Sequence, residues 1–282
     1  MSSPHKPSTE AAPPYPGYKV PPDDPAPVRD AASVVLLRDG AKGPEAFTLT
    51  RTTTMAFAAG ATVFPGGRME SGDHLPTQFW SGSDLDPWVP QLGADPSLAR
   101  QLLAAAVRET FEECGVLLAR PSCGRTLANP RDFEKERASL ESGELAFAEF
   151  LSTHRLVPDV SLLRPLSRWI TPLGEPRRYD TRFFLAALPQ AQQPRQASSE
   201  ASGIQWMDVA TALQRFRDGD TMLMPPTWAQ FHHLRQFSTV LEALEATPDN
   251  APVLPEIVPD SKPLRVRFWL EEDYYADSPY HD

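Results

Sequence analysis

Cysteine is nearly absent from this 282-residue chain: Cys114 and Cys123 are its only two. Two thiols cannot build a disulfide framework or a four-thiolate zinc site, and a reducing compartment fits them best. Long apolar runs are missing as well. No stretch approaches the roughly twenty residues needed to span a bilayer. The first residues lack the basic-then-apolar pattern of a secretion signal, and the chain ends SPYHD, not in an SKL-type address. A cytoplasmic location is the expectation. Positive charge is also in short supply, with 27 Lys and Arg against 37 Asp and Glu, a formal net charge of −10. That field repels nucleic acid and anionic membranes, so neither is an expected partner. A small anionic substrate stays possible if cations or metals reverse the sign locally. The six histidines form no HExxH pattern, and no GxSxG or Cys/His constellation is present.

What is present reads as a soluble globular protein, 41% apolar and 23% charged. Residues 1–28 are crowded with prolines and poor in large apolar residues. They read as a disordered tail, with a proline-rich recognition segment as the alternative. Strands are expected at ASVVLLRDG, AFTLTR, ATVFP, SRWIT, TRFFLAAL, GIQWM and RVRFWL. DPSLARQLLAAAVRETFEECG carries the punctuation of a helix: Asp95 as N-cap, Pro96 at the first position, Gly115 at the stop. DVATALQRFRDG repeats that grammar. TWAQFHHLRQFSTVLEAL places Trp228, Phe231, Leu234 and Leu241 at helical spacing, the mark of a core-facing helix. FEKERASL and ELAFAEFL suggest two shorter helices. Strands and helices alternate without an internal repeat, so the fold class is α/β (α+β), one mixed-sheet domain over 29–275 with helical insertions at about 74–94 and 122–160.

In RETFEECG, Glu109, Glu112 and Glu113 stand at i, i+3 and i+4 and share one helix face. Leu103, Val107, Thr110 and Cys114 form a separate, mostly apolar face. Three neighbouring carboxylates repel one another unless a cation sits among them. Arg108 compensates in part; a divalent cation does so more fully, since Mg²⁺ favours carboxylate oxygens plus substrate phosphates. A solvated charged face is the plain alternative. Upstream, FPGG supplies a turn that permits positive φ and close backbone approach, suited to a loop folded against that helix.

At these residues the chain resembles the Nudix hydrolases. Gly67 matches the first glycine of their box, and Arg108, Glu109, Glu112, Glu113, Gly115 and Val116 match its second half. Asp73 stands where the family has glutamate, and Thr110 replaces an aliphatic residue. Thirty-four residues separate Asp73 from Arg108 where the family has seven. This split box is similar to the branch related to the peroxisomal coenzyme A diphosphatase, as are AGATVFPGG, WITPLGEPRRYDTRFFLAALP, GIQWMDVATAL and MPPTW. Arg51 and Gly60 fit that branch's coenzyme A motif; Ala56 sits where a second arginine is expected. The intervening segment is expected to be a surface excursion that leaves the two halves of the box together.

The resemblance implies an α/β/α sandwich and hydrolysis of a nucleoside diphosphate linked to another moiety. Glu109, Glu112 and Glu113 would hold Mg²⁺ or Mn²⁺, with Arg108 orienting them. Arg51, Gly66, Gly67, Arg68, Arg177 and Arg178 would contact substrate, and Glu70 or Asp73 would reach metal through water. Glu109 or Glu200 would be the general base. Coenzyme A or acyl-coenzyme A is the favoured substrate, a homodimer is possible, and the alternatives are other dinucleotides or a non-catalytic nucleotide-binding module.

Overall fold

The computed structural model describes residues 24–52, 60–123, 127, 129–198, 201–246, 248–258, 261 and 265–279. The first half of the chain gives β1 (Val28–Gly40), β2 (Gly43–Arg51), β3 (Ala61–Val63), β4 (Gly66–Arg68), α1 (Trp88–Leu92), α2 (Pro96–Cys114) and β5 (Ala119–Pro121). Next come α3 (Glu134–Glu141), α4 (Phe147–His154), β6 (Leu156–Pro158), β7 (Leu163–Ile170), β8 (Arg178–Ala187), β9 (Ala201–Asp208) and α5 (Val209–Arg217). The remainder is β10 (Met222–Leu223), α6 (Pro225–Leu234), α7 (Val240–Glu245), β11 (Pro252–Val253), β12 (Glu256–Val258), β13 (Arg265–Arg267) and α8 (Glu271–Asp277). The proline-rich tail expected over 1–28 falls almost wholly outside the described residues.

One mixed sheet of nine strands organises the molecule, in the order β10-β3-β2-β1-β8-β7-β11, with β4 paired to β1 and β9 to β2. At its centre β1 runs parallel to β8, from Val28 opposite Arg178 to Leu37 opposite Ala187. Alternation along β1 builds the layers. Val34 and Leu36 join one buried cluster with α2, while Val35 and Leu37 face the other way into a cluster with α5, α6 and α8. A strand with both faces covered reads as a continuous apolar run, which is what SVVLL is. The result is the expected α/β/α sandwich.

Two expectations need correction. The stretch from Thr227 to Leu244 is two helices, α6 and α7, not one. Thr239 is extended and caps α7 by accepting a hydrogen bond from Glu242 N (3.2 Å), while Val240 N donates to Asp39 Oδ1 (2.8 Å). Tertiary bonding of the new helix start to the β1–β2 turn thus outweighs the apolar period, and Leu241 is 64% exposed instead of packed in the core.

The segment between the two halves of the box is not a surface loop. Leu75, Phe79, Trp80, Trp88 and Leu92 are buried in the α2 cluster, so it adds a wall to the core. Its end is clamped by the strands beneath: Arg182 Nε donates to Leu92 O (3.3 Å) and Arg182 Nη1 to Asp30 Oδ1 (2.7 Å), beside an Arg168–Asp180 pair at 2.7 Å. Phe79→Ala should therefore lower the unfolding free energy by about 3–5 kcal/mol. Urea denaturation measures it, and a loss under 1 kcal/mol would return the segment to the status of a loop.

Candidate active site

The site is assembled by α2 and the β3–β4 turn. Asp95 Oδ1 accepts from Ser97 N (2.7 Å) and Leu98 N (3.0 Å), which starts α2 with Pro96 already in place. Gly115, at φ 69°, ends it. Between those points the helix is buried almost all round, from Leu102 to Glu112. Its charged side is therefore not a solvated face.

The turn fits against the helix because it has no side chains where the two meet. A Cβ on Gly66 would collide with Ala32 O of β1, and one on Gly67 would lie 2.5 Å from Glu109 Oε1. Gly66 N instead donates to Glu113 Oε2 at 2.8 Å. The carbonyl of Pro65 is held by Val34 N (2.8 Å) and by Ser33 Oγ (3.0 Å). Loop, central strand and glutamate helix are thus locked together, although Glu113 lies forty-seven positions after Gly66.

Arg108 is the hub. Its Nε and Nη2 grip Asp73 Oδ1 and Oδ2 at 2.8 and 2.9 Å, a two-pronged pair with both side chains buried. Nη2 also reaches Arg68 O (3.1 Å), and Nη1 serves Glu109 Oε1 (2.9 Å) and Glu112 Oε2 (3.2 Å). Burial by itself would push the guanidinium down. The Asp73 pairing and the Glu109 and Glu112 charges outweigh that and hold it above its ordinary value. Asp73 owes its reach to a short 3-10 turn, Ser71–Asp73, and it also accepts from Glu70 N (2.7 Å). The chain's local bend makes up for the missing methylene. Glu70 itself is half exposed and pairs with Arg68 (3.0 Å).

The carboxylates left over are under electrostatic pressure. Burial pushes both Glu109 and Glu112 up to about 7, against the pull of Arg108, with neighbouring carboxylates adding to the rise. One buried arginine faces three buried carboxylates, so the cluster is short of positive charge, and oxygen-rich anionic surroundings of this kind suit a hard divalent cation. Among the described residues no three of these side chains already converge as ligands, since Arg108 draws Glu109 and Glu112 and Gly66 draws Glu113. By donor chemistry and charge the residues fit such an ion.

A pH response follows from the same burial. In the unfolded chain these two glutamates ionise near 4.5; folded, they hold protons to about 7. Between those values the native state binds more protons, so their contribution to stability falls as pH rises through the window, by at most about 1.4 kcal/mol per pH unit for each proton. The metal-free protein minus its Glu109→Gln/Glu112→Gln variant should show this slope in melting temperature between pH 5 and 7. A flat difference would mean that both groups are ionised throughout.

The C-terminal end of α2 is held by groups that the sequence did not advertise. Arg137, a buried residue of α3, donates from Nη1 to Glu112 O (2.8 Å), and Arg195 N donates to Cys114 O (3.0 Å). No local pattern connects residues 25 and 81 positions away from the carbonyls they bind. Burial pushes the Cys114 thiol up to about 12, which leaves it a core residue and not a nucleophile. Arg51 ends β2 with its Nε buried and without a hydrogen-bond partner among the described residues. Arg177 is exposed in the β7–β8 loop. Arg178 is instead buried, with Nε shared between Thr171 O (3.1 Å) and Pro172 O (3.2 Å) and Nη1 on Ala26 O (3.2 Å). Ala56 and Glu200 lie outside the described residues.

A buried arginine thus gathers an upstream acid and two helix glutamates, under a glycine turn bound to a third. The chain belongs to the family described as the NUDT19 Nudix domain, whose model matches residues 96–237. That match begins at the first residue of α2, downstream of the glycine turn. Among curated relatives, the acyl-coenzyme A diphosphatase NUDT19 of Gallus gallus is 30% identical over 273 residues, covering 79% of this chain and 72% of its own length. Its Homo sapiens counterpart is 28% identical over 239 residues, covering 71% of this chain and 63% of its own length. The Xenopus laevis protein is 27% identical and covered over 61%, so the chain spans about two thirds of these relatives. A Nudix hydrolase crystal structure from Alicyclobacillus acidocaldarius aligns with TM-score 0.65 and 29% identity, over 80% of this chain and 99% of that one.

Proposed function

We propose that the chain is a divalent-metal-dependent diphosphatase acting on coenzyme A or acyl-coenzyme A. Water adds to one phosphorus of the diphosphate, the bridging P–O bond breaks, and 3′,5′-ADP and (acyl-)4′-phosphopantetheine leave. The observation that carries the reading is the Arg108 hub, which gathers Asp73, Glu109 and Glu112 beside the glycine turn that binds Glu113, together with the names of the NUDT19 relatives. Mg²⁺ or Mn²⁺, held by Glu109, Glu112 and Glu113, would neutralise phosphate oxygens and acidify bound water. Arg108 keeps Glu109 and Glu112 aimed by bonding one oxygen of each. Gly67 leaves Glu109 room against the turn, and Glu109 is our general base in preference to Glu200.

Substrate anions are assigned to Arg51, whose Nε has no partner among the described residues, and to the exposed Arg68 and Arg177. Arg178 then serves by shaping the loop that carries Arg177. With Ala56 in place of an arginine, these three must hold the 3′-phosphate, for which a guanidinium fork is well suited. No helix among the described residues is long and apolar enough to cross a membrane. Two unpaired cysteines are consistent with the cytoplasm.

The test is a panel of coenzyme A, acyl-coenzyme A, ADP-ribose, NADH and dinucleoside polyphosphates with Mg²⁺ or Mn²⁺, products read by mass spectrometry. Coenzyme A species should lead in kcat/KM. A tenfold preference for ADP-ribose or a dinucleotide would overturn the substrate and leave the diphosphatase. No cleavage of any member would turn the reading to a nucleotide-binding module.

A further inference from the structure

Two of the three helix glutamates stand on the last turn of α2, the part of a helix that opens most readily. The helix's own ladder ends with Gly115 N donating to Phe111 O at 2.9 Å. The next three carbonyls, those of Glu112, Glu113 and Cys114, lie past that ladder, where a helix offers no donors of its own. Each is met from outside. Arg137 Nη1 donates to Glu112 O (2.8 Å), Ala197 N to Glu113 O (3.3 Å) and Arg195 N to Cys114 O (3.0 Å).

Of these three donors only the one from Arg137 is a side-chain atom and carries charge, which suits the negative end of a helix dipole. Its guanidinium is buried and is aimed by two carboxylates of its own helix. Nε donates to Glu134 Oε1 and Nη1 to Glu141 Oε2, both at 2.9 Å. Glu134 also pairs with Arg195. One exposed glutamate thus joins α3 to the β8–β9 connection, the two elements that close the end of the glutamate helix. The need for such a closure is electrostatic. Glu109, Glu112 and Glu113 repel one another, and that force works to unwind the turn that carries two of them unless its main chain is anchored. Groups that act by their spacing tolerate little drift, since a displacement of about 1 Å can cost on the order of a hundredfold in rate.

We propose that Arg137 is a positioning residue of the diphosphate site. By holding Glu112 O it fixes the last turn of α2, and with it the placement of Glu112 and Glu113 relative to Glu109 and to the Gly66–Gly67 turn. Helix α3, from the segment read as a helical insertion, then belongs to the support of the cation-binding carboxylates. This rests on the metal-dependent reading given above.

Mn²⁺ binding to the full chain without substrate, followed by the electron paramagnetic resonance signal of the free ion, tests this apart from turnover. Arg137→Met keeps the length of the stem and removes every donor. It should weaken Mn²⁺ binding by about tenfold, the low end of what supports behind metal ligands contribute. The Mg²⁺ concentration for half-maximal turnover should rise in step, while KM for coenzyme A at saturating Mg²⁺ stays at the parent's value. Arg137→Lys retains a charged donor and should recover part of the lost affinity. Phe216→Leu loosens the core on the other face of the sheet and should leave Mn²⁺ binding unchanged. Glu134→Gln, at an exposed side chain, slackens the aim of Arg137 and should weaken binding in the same direction; it supplies the readout if Arg137→Met does not fold. Parental Mn²⁺ affinity in Arg137→Met, or in Glu134→Gln where the former is unfolded, would overturn the proposal. Equal weakening in Phe216→Leu would do so too, by reducing the effect to a general loss of stability. A parent that binds no Mn²⁺ would overturn the metal-dependent reading itself, and this proposal with it.

Discussion

Glu112→Gln is expected to lower turnover by about two orders of magnitude or more while leaving the fold intact. The loss corresponds to removing one main electrostatic element from a transition state. The substitution is nearly isosteric, and the amide oxygen can still accept from Arg108 Nη1, which lies 3.2 Å from Glu112 Oε2. What disappears is a buried negative charge that burial already disfavours. Stability of the metal-free protein at pH 8 should accordingly stay level or rise. Glu113→Gln should cost a similar factor in turnover: its amide oxygen can still accept from Gly66 N, but the negative charge offered to a cation is lost. Steady-state kinetics at saturating Mg²⁺, beside melting curves, check both. Near-parental turnover in the pair would remove this helix from the chemistry.

Asp73→Ala should damage the framework of the site. It deletes both carboxylate oxygens from a guanidinium that is 7% exposed, leaving buried donors short of acceptors while Glu109 and Glu112 still face the charge. Unsatisfied buried donors of this kind cost about 1–3 kcal/mol or more, which for a domain of this size lowers the melting temperature by on the order of 5 °C. Turnover should fall as well, because Arg108 would no longer be fixed where it aims Glu109 and Glu112. Asp73→Glu, which restores the residue the wider family uses, should not be benign. The side chain is completely buried in a 3-10 turn, and an added methylene in a filled site costs about 1–3 kcal/mol. A variant more stable than the parent would show that the turn has slack and that the short side chain is no adaptation.

Much of this site was legible in the sequence wherever the signal was local. Asp95, Pro96 and Gly115 announce α2 because caps act within a turn of the helix end, and the i, i+3, i+4 spacing of Glu109, Glu112 and Glu113 follows from helical geometry alone. The pairing of Asp73 with Arg108 was not legible. Its thirty-five-residue span depends on how Phe79, Trp80 and Trp88 pack between the halves, and their apolar character was hidden among turn residues. The division of α6 from α7 did have a signal, the Thr239-to-Glu242 cap. The apolar period running through to Leu241 masked it. Arg137 and Arg195 carry no signal at all, since their targets are main-chain carbonyls that every residue shares.

The parallel pairing of β1 with β8 has a consequence for how the chain comes off the ribosome. Partners in that ladder are about 150 residues apart, so at typical synthesis speeds β1 emerges roughly 10–30 s before β8 exists. Throughout that interval β1, whose run from Val34 to Leu37 is buried in the finished fold, has β2 and β4 for company but one edge bare. An unpaired edge is a template for joining another chain. Yield of soluble protein should therefore depend on expression temperature and chaperone supply more steeply than the stability of the finished fold would suggest.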